Sequence, residues 1–257
     1  MTQPLRVSSR DNPLLHRLRK LARDPGAYRK LGSVWLEGDH LAAACLSRGL
    51  RPSQAVISDS GWLDARLHAL AQGCERIAIV PDEAFKSFSA LESPAAIGFV
   101  LDLPAAPDLL PGVPTVVLDR LQDAGNVGAI LRSAAALGVR QVVALKGSAA
   151  LWSPKVLRAA MGAHFALHLA ESREPAELQA LGLPLVATSS HGGEDLPAAA
   201  LPRPCAWVFG HEGQGVDADL LAQCALKVRI PQPGGEESLN VAAAAAICLY
   251  ESLRRGV

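Results

Sequence analysis

The sequence predicts an α/β protein, with a small leading unit followed by a larger one built on a parallel sheet. Three observations predict it. Short apolar runs without polar alternation are separated by segments of helical pattern along most of the 257 residues. Such runs suit strands covered on both faces. The tract Asp102–Pro114 interrupts the alternation with four prolines and a glycine, so it cannot be a regular element. Beyond it, several apolar runs end in loops rich in glycine and asparagine, and parallel sheets bind ligands at the carboxyl ends of their strands.

In the leading unit, Ser33–Glu37 reads as a strand, Asp39–Ser47 as a helix and Gln54–Ser58 as a strand. Trp62–Ala71 is helical in pattern, Arg76–Val80 is a strand, and Pro81–Leu91 is a helix with proline in its first turn. Ile97–Leu101 closes the unit as a strand. After the tract, Thr115–Leu118 is an apolar, β-branched strand and Asn126–Leu137 a helix ended by Gly138. Gln141–Leu145 is a strand, and Ser153–Met161 a helix capped by Ser153 with Pro154 behind it. Leu185–Thr188, Ala206–Phe209 and Leu226–Ile230 are strands, Asp217–Gln223 a short helix, and Ser238–Leu253 a long final helix. The expected division is residues 1–103, a linker at 104–114, and residues 115–257.

Hydrophobic residues make up 49% of the chain and aromatics only 4%, so Leu, Val, Ala and Ile must fill the cores. No stretch of about 18 residues is free of charge and turn signals, which argues against a membrane span. The basic beginning lacks the apolar run of a signal peptide, and the expected location is the cytoplasm. The five cysteines are scattered, without a Cys-x-x-Cys pair or zinc spacing, so they read as buried, reduced thiols and no metal is expected. Net charge is zero but uneven. Residues 1–30 hold eight basic side chains against two acidic ones, leaving +6 there and −6 elsewhere. That segment suits a polyanion or forms a solvated helix face.

Three loops carry the chemistry. The first, Asp119–Arg132, follows a strand and opens a helix. Gly125 permits close backbone approach and Asn126 is a candidate N-cap, so the helix start offers N–H groups to an anion. Arg132 lies six residues into the helix, and its side chain leans back toward that turn. The second, Phe209–Gly215, places His211 and Glu212 among three glycines. Its spacing is neither the dinucleotide nor the phosphate-loop pattern, so an oxidoreductase reading finds no support. The third, Ile230–Ala242, is an irregular loop running into the last helix, with Ser238 as candidate N-cap and Asn240 in the first turn.

Together these loops resemble the SpoU/TrmH family of RNA 2′-O-ribose methyltransferases, of the SPOUT superfamily. The resemblance rests on Asn126, Gly128 and Arg132, then Gly210, Glu212, Gly213 and Gly215, then Ile230, Pro231, Ser238, Leu239, Asn240 and Val241. Ser153–Ala163 looks like a further family segment. Ser8–Leu21 and Val34–Gly38 are similar to the family's leading substrate-binding domain. Two positions depart from the usual pattern: Ala124 stands where proline is usual, and His211 where asparagine is usual.

The resemblance implies a parallel-sheet SPOUT domain with a deep trefoil knot, preceded by a small α/β, L30e-like RNA-binding domain. It implies S-adenosylmethionine as cofactor, held near Thr188, Gly210, Ile230 and Leu239. It assigns catalysis to Arg132, with Asn126, Glu212, Ser238 and Asn240 orienting it and the ribose. RNA contacts fall to Arg10, Arg17, Lys20 and Arg158. The family usually gives proton removal to Arg132, but a guanidinium rarely releases a proton. Fixing the neighbouring phosphate and stabilising the developing alkoxide suits it better. His211 offers an alternative base. The expected partners are ribosomal RNA, ahead of transfer RNA, and a second copy of the chain as homodimer. A catalytically silent knotted RNA-binding protein is the alternative, and it would be marked by loss of Arg132, Asn126 or Asn240.

Overall fold

The computed structural model describes residues 4–9, 11–103, 107–189, 192–234 and 238–255. It divides into two units, Met1–Ala105 with Trp152–Phe165, and Ala106–Leu151 with Ala166–Val257.

The first unit begins with β1 (Leu5–Arg6), α1 (Pro13–Arg23) and α2 (Ala27–Leu31). Here the charge pattern had left a helix face and a polyanion site open. Asn12 caps α1 by accepting the Leu14 N–H at 2.9 Å, and Leu15, Leu18 and Leu21 are buried. The basic residues therefore decorate the outer side of an amphipathic helix. Then follow β2 (Ser33–Glu37), α3 (Asp39–Ser47), β3 (Gln54–Ser58), α4 (Asp59–Leu63), α5 (Ala65–Ala71), β4 (Ile77–Val80), α6 (Asp82–Phe88) and β5 (Ile97–Asp102). The expected helix Trp62–Ala71 is in fact two. The Asp64 carboxylate accepts the Arg66 and Leu67 N–H groups at 2.8 and 3.1 Å and so starts a new helix. Pro81 precedes α6 as its N-cap residue and does not lie in the first turn.

The sheet order is β1-β4-β3-β5-β2, with β1, β4 and β3 parallel and β5 and β2 joined antiparallel. Trp35, Phe85 and Phe88 pack as an aromatic cluster beside it, with ring centroids 4.8–6.1 Å apart. Gly98 is required there, because a Cβ would lie 2.3 Å from the Trp35 ring.

The second half supplies β6 (Thr115–Leu118), α7 (Ala124–Ala136), β7 (Gln141–Leu145), α8 (Pro154–Ala160), β8 (His168–Arg173), β9 (Leu185–Thr188), β10 (Glu194–Asp195), β11 (Ala206–Phe209), α9 (Ala218–Gln223), β12 (Leu226–Arg229) and α10 (Val241–Arg254). Of these, α8 belongs to the first unit, where it packs on α1 and β2. The sheet order is β10-β12-β9-β11-β6-β7-β8, and every pairing is parallel. Val117, Val143, Ala187 and Val208 form its buried centre. The edge strand β8 was not foreseen, since its mixed sequence is only half covered.

Two helix starts differ from expectation. Asp123, not Asn126, caps α7, accepting the Asn126 N–H at 2.7 Å. Asn240, not Ser238, caps α10, accepting the Ala242 and Ala243 N–H groups at 2.9 and 3.2 Å. In each case a carboxylate or amide two or three residues from the expected cap reaches the free N–H groups first.

The proline-rich tract is anchored to the second unit. Gln141 is fully buried, and its amide accepts from Leu110 N at 2.7 Å and donates to Leu110 O at 3.2 Å. Asp108 O lies 2.7 Å from His168 Nε2, and Pro107 O accepts from Arg173 at 2.5 Å.

Candidate active site

Because the second sheet is wholly parallel, its strands all end at one edge. The neighbours β12, β9, β11 and β6 release Ile230, Ser189, Gly210 and Asp119 side by side. Sheet order thus gathers the three loops, although about 80 to 110 residues separate the first from the other two. The helices α7 and α10 pack on each other. Their N-terminal turns meet where Asn240 Nδ2 donates to Asn126 Oδ1 at 3.0 Å. Asn126 Nδ2 in turn donates to Glu212 Oε1 at 3.3 Å. The same carboxylate accepts the N–H groups of Asp123 at 3.1 Å and Gln122 at 3.4 Å. One residue from each loop therefore joins a single polar chain, Glu212–Asn126–Asn240.

Burial alone would raise the Glu212 carboxyl. Hydrogen bonds from its own N–H, Asn126, Asp123 and Gln122 outweigh that and hold it below the usual carboxylate range. Glu212 is accordingly ionised at neutral pH. Its contribution to loop order is lost only as pH falls through the lowered value. Two converging helix N-termini add positive potential at the same place, which suits an anionic or electron-rich substrate.

Arg132 is exposed on α7 and makes no hydrogen bond or ion pair among the described residues. Ser238 and Leu239 are exposed ahead of α10, and among the described residues Ser238 makes no side-chain hydrogen bond. Gly210 is buried at the end of β11, Thr188 is half-buried at the end of β9, and Ile230 is half-buried just beyond β12. His211 Nδ1 accepts the N–H groups of Gly213 at 3.0 Å and Gln214 at 3.3 Å. These bonds occupy Nδ1 as an acceptor. Such a ring holds the turn.

Sequence reasoning missed a buried clamp behind these loops. Asp119 is 3% exposed. Its carboxylate accepts from Asp217 N at 2.7 Å and from both Nε and Nη2 of Arg120, at 3.1 and 3.2 Å. Arg120, with φ of 57°, donates onward to Gln214 at 3.2 Å. The first loop is thereby tied to the second at Gln214 and Asp217, just beyond Glu212. An acidic residue at the carboxyl end of a buried strand was the available signal.

Of the four proposed RNA contacts, Arg10 lies outside the described residues. Arg17 donates to Ser33 Oγ at 2.7 Å and is 3.8 Å from Asp102. Lys20 is exposed and Arg158 half-buried. Arg17 and Lys20 lie on α1 and Arg158 on α8, two helices that pack together in the first unit.

All five cysteines are free, and burial raises each thiol to about 11 or 12. They stay protonated at neutral pH and are unsuited to nucleophilic chemistry. Among the described residues no helix is long and apolar enough to cross a membrane.

Comparison with known proteins agrees with this geometry. The model of the SpoU rRNA Methylase family matches residues 114–250. The 23S rRNA (guanosine(2553)-2′-O)-methyltransferase RlmP of Bacillus subtilis (strain 168) is 31% identical over 224 residues, covering 86% of this chain and 88% of the relative. A 23S rRNA (uridine(2479)-2′-O)-methyltransferase of Streptomyces viridochromogenes is 32% identical over 198 residues, covering 71% of this chain and 68% of its own length. Among solved structures, an AdoMet-bound rRNA methyltransferase from Sinorhizobium meliloti aligns with a TM-score of 0.84 at 25% identity, covering 99% of each chain. With a family model spanning more than half of it, and relatives at this identity aligned over most of their length, the chain belongs to the SpoU rRNA methylase family.

Proposed function

We propose that the chain is an S-adenosylmethionine-dependent RNA 2′-O-ribose methyltransferase acting on ribosomal RNA. The observation that carries this reading is the Glu212–Asn126–Asn240 chain, which joins the three family loops. A silent RNA-binding protein has no need of that arrangement, and none of its members is lost. The names of the relatives, both acting on 23S rRNA, support ribosomal over transfer RNA.

The strand ends fit the cofactor. Thr188, Gly210 and Ile230 lie at three neighbouring strand ends, and Leu239 leaves apolar surface exposed. When bound, S-adenosylmethionine supplies the electrophilic methyl group. The residues of the chain do the rest. Asn126 and Asn240 orient the ribose, and Glu212 fixes Asn126. Arg132 holds the flanking phosphate and stabilises the oxygen as its proton leaves to solvent. Ser238 lines the entrance. Holding two reactants aligned is by itself worth about 7–11 kcal/mol of barrier.

The remaining features follow the same reading. Residues 1–103 recognise RNA as an L30e-like domain, supported by the mixed five-stranded sheet and the basic face of α1. Arg10, Arg17, Lys20 and Arg158 contribute to that surface. Residues 104–114 link it to the catalytic part, 115–257, of which Trp152–Phe165 packs with the first unit. A trefoil knot in that part is supported by β11, which comes late in the chain yet lies between β9 and β6. The location is cytoplasmic, where ribosomal RNA is found, and no metal takes part.

Incubation of the purified chain with labelled S-adenosylmethionine and a 23S rRNA transcript is expected to label one ribose, found by 2′-O-methyl mapping. Absence of both labelling and cofactor binding overturns the proposal.

The chain also acts as a homodimer. Ile247, Tyr250 and Leu253 are 41%, 56% and 42% exposed at three-residue spacing on one side of α10. Light scattering at micromolar concentration is expected to give twice the chain mass, and Tyr250→Glu to shift it toward the monomer. A wild-type monomer rules the dimer out.

A further inference from the structure

The turn that presents Glu212 is closed on itself but has to be aimed. The Gly215 N–H donates to His211 O at 2.8 Å, and the His211 ring accepts the Gly213 and Gln214 N–H groups. These bonds set the shape of the turn and leave its direction open. Gly213 and Gly215 flank Gln214 as pliable links. The stems of the second loop close on Asp119. Its N–H donates to Phe209 O at 2.8 Å, and its carboxylate accepts the Asp217 N–H at 2.7 Å.

Arg120 reaches past these stems to the turn. Its Nε and Nη2 donate to the buried Asp119 carboxylate at 3.1 and 3.2 Å, and its Nη1 donates to Gln214 Oε1 at 3.2 Å, two residues beyond Glu212. A planar fork seated on two carboxylate oxygens has little freedom to swing. The backbone beneath it is strained. Arg120 has φ of 57°, a left-handed conformation that glycine adopts freely and that residues with a Cβ disfavour. The loop after β7 makes room for the arginine stem, since a Cβ on Gly147 would lie 3.3 Å from Arg120 Cγ. Strain of this kind points to a task for the side chain it presents. Stability is not that task for the bond to Gln214, because Gln214 is exposed.

We propose that Arg120 is a positioning residue for methyl transfer. Anchored on Asp119, it holds the turn through Gln214, so that Glu212 stays against Asn126, which orients the ribose. This rests on the function proposed above.

The test releases the turn without disturbing the buried Asp119–Arg120 pair. Gln214→Ala in the full chain is expected to lower kcat about tenfold. KM for the 23S rRNA transcript, cofactor affinity and melting temperature are expected to stay at wild-type values. Gln214→Glu keeps an acceptor for Arg120 and is expected to recover most of the lost rate. A Gln214 that met RNA directly would behave otherwise, because the added negative charge would repel phosphate and raise KM. Amide exchange gives a readout apart from activity. The Gln122 and Asp123 N–H groups donate to Glu212 at 3.4 and 3.1 Å. In Gln214→Ala they are expected to exchange about tenfold faster, while the Gly215 N–H inside the turn keeps its wild-type rate. Wild-type kcat in Gln214→Ala, or wild-type exchange at those two groups, overturns the proposal. So does a raised KM in either variant, or a Gln214→Glu protein as slow as Gln214→Ala. A wild-type chain that methylates no ribose and binds no S-adenosylmethionine overturns the proposed function itself, and this inference with it.

Discussion

Arg132→Ala is expected to lower methyl transfer by about 10²–10³-fold while leaving cofactor affinity unchanged. The basis is position. Arg132 is exposed and unpaired on α7, two turns beyond the Glu212–Asn126–Asn240 chain, and a helical side chain leans back toward the N-terminal turn. The strand ends assigned to the cofactor, Gly210 and Ile230, belong to other elements. Removing the guanidinium therefore takes away a contact to the developing oxyanion and spares the cofactor pocket. Arg132→Lys is expected to restore little, because a point charge cannot replace a planar fork spanning phosphate and ribose. His211→Asn is expected to keep activity. An asparagine Oδ1 can accept the Gly213 and Gln214 N–H groups that His211 Nδ1 now accepts. This also gives a physical reason why asparagine is the usual residue there. Single-turnover rates beside cofactor titrations check all three variants. A dead His211→Asn with an active Arg132→Lys would make the histidine the base and reverse the roles.

Gly210→Ala is expected to abolish both activity and cofactor binding and to destabilise the second unit. A Cβ at Gly210 would lie 2.1 Å from Val216 N, 2.2 Å from Gly215 C and 2.4 Å from Gly215 O. All three are backbone atoms of the same turn, so no side chain can move aside. The turn must open, breaking the Gly215 N–H to His211 O bond of 2.8 Å and withdrawing Glu212 from Asn126. Overpacking of this kind costs about 1–3 kcal/mol or more. At roughly 2–4 °C per kcal/mol, the melting temperature should fall by several degrees. Gly213→Ala is the control, since its Cβ would meet only the His211 ring, at 3.9 Å. A Gly210→Ala protein with wild-type melting and cofactor affinity would remove the steric argument.

Most strands were legible because they are short, apolar and buried on both faces. Ser33–Glu37, Gln54–Ser58, Thr115–Leu118, Gln141–Leu145, Leu185–Thr188 and Ala206–Phe209 all match the expected bounds. Helix starts were less legible. Asp123 and Asn126 are both good caps, as are Ser238 and Asn240, and which one reaches the free N–H groups depends on the loop's path. The edge strand β8 and the two first helices escaped because half-covered elements carry a weaker apolar signal.

The sequence by itself determined the fold class and the family, since Asn126, Arg132, Gly210, Glu212 and Asn240 stand in ordered motifs of fixed spacing. Only the tertiary structure decided what those residues do for one another. The parallel order β12-β9-β11-β6 brings loops remote in sequence to one edge, where Glu212 meets Asn126 and Asn126 meets Asn240. It also decided that His211 holds a turn and that Asp119 and Arg120 clamp two loops. The physical reason is one of range. Strand and helix patterns are set by neighbours a few residues apart, whereas a hydrogen-bond partner 86 or 114 positions away exists only once the sheet has closed.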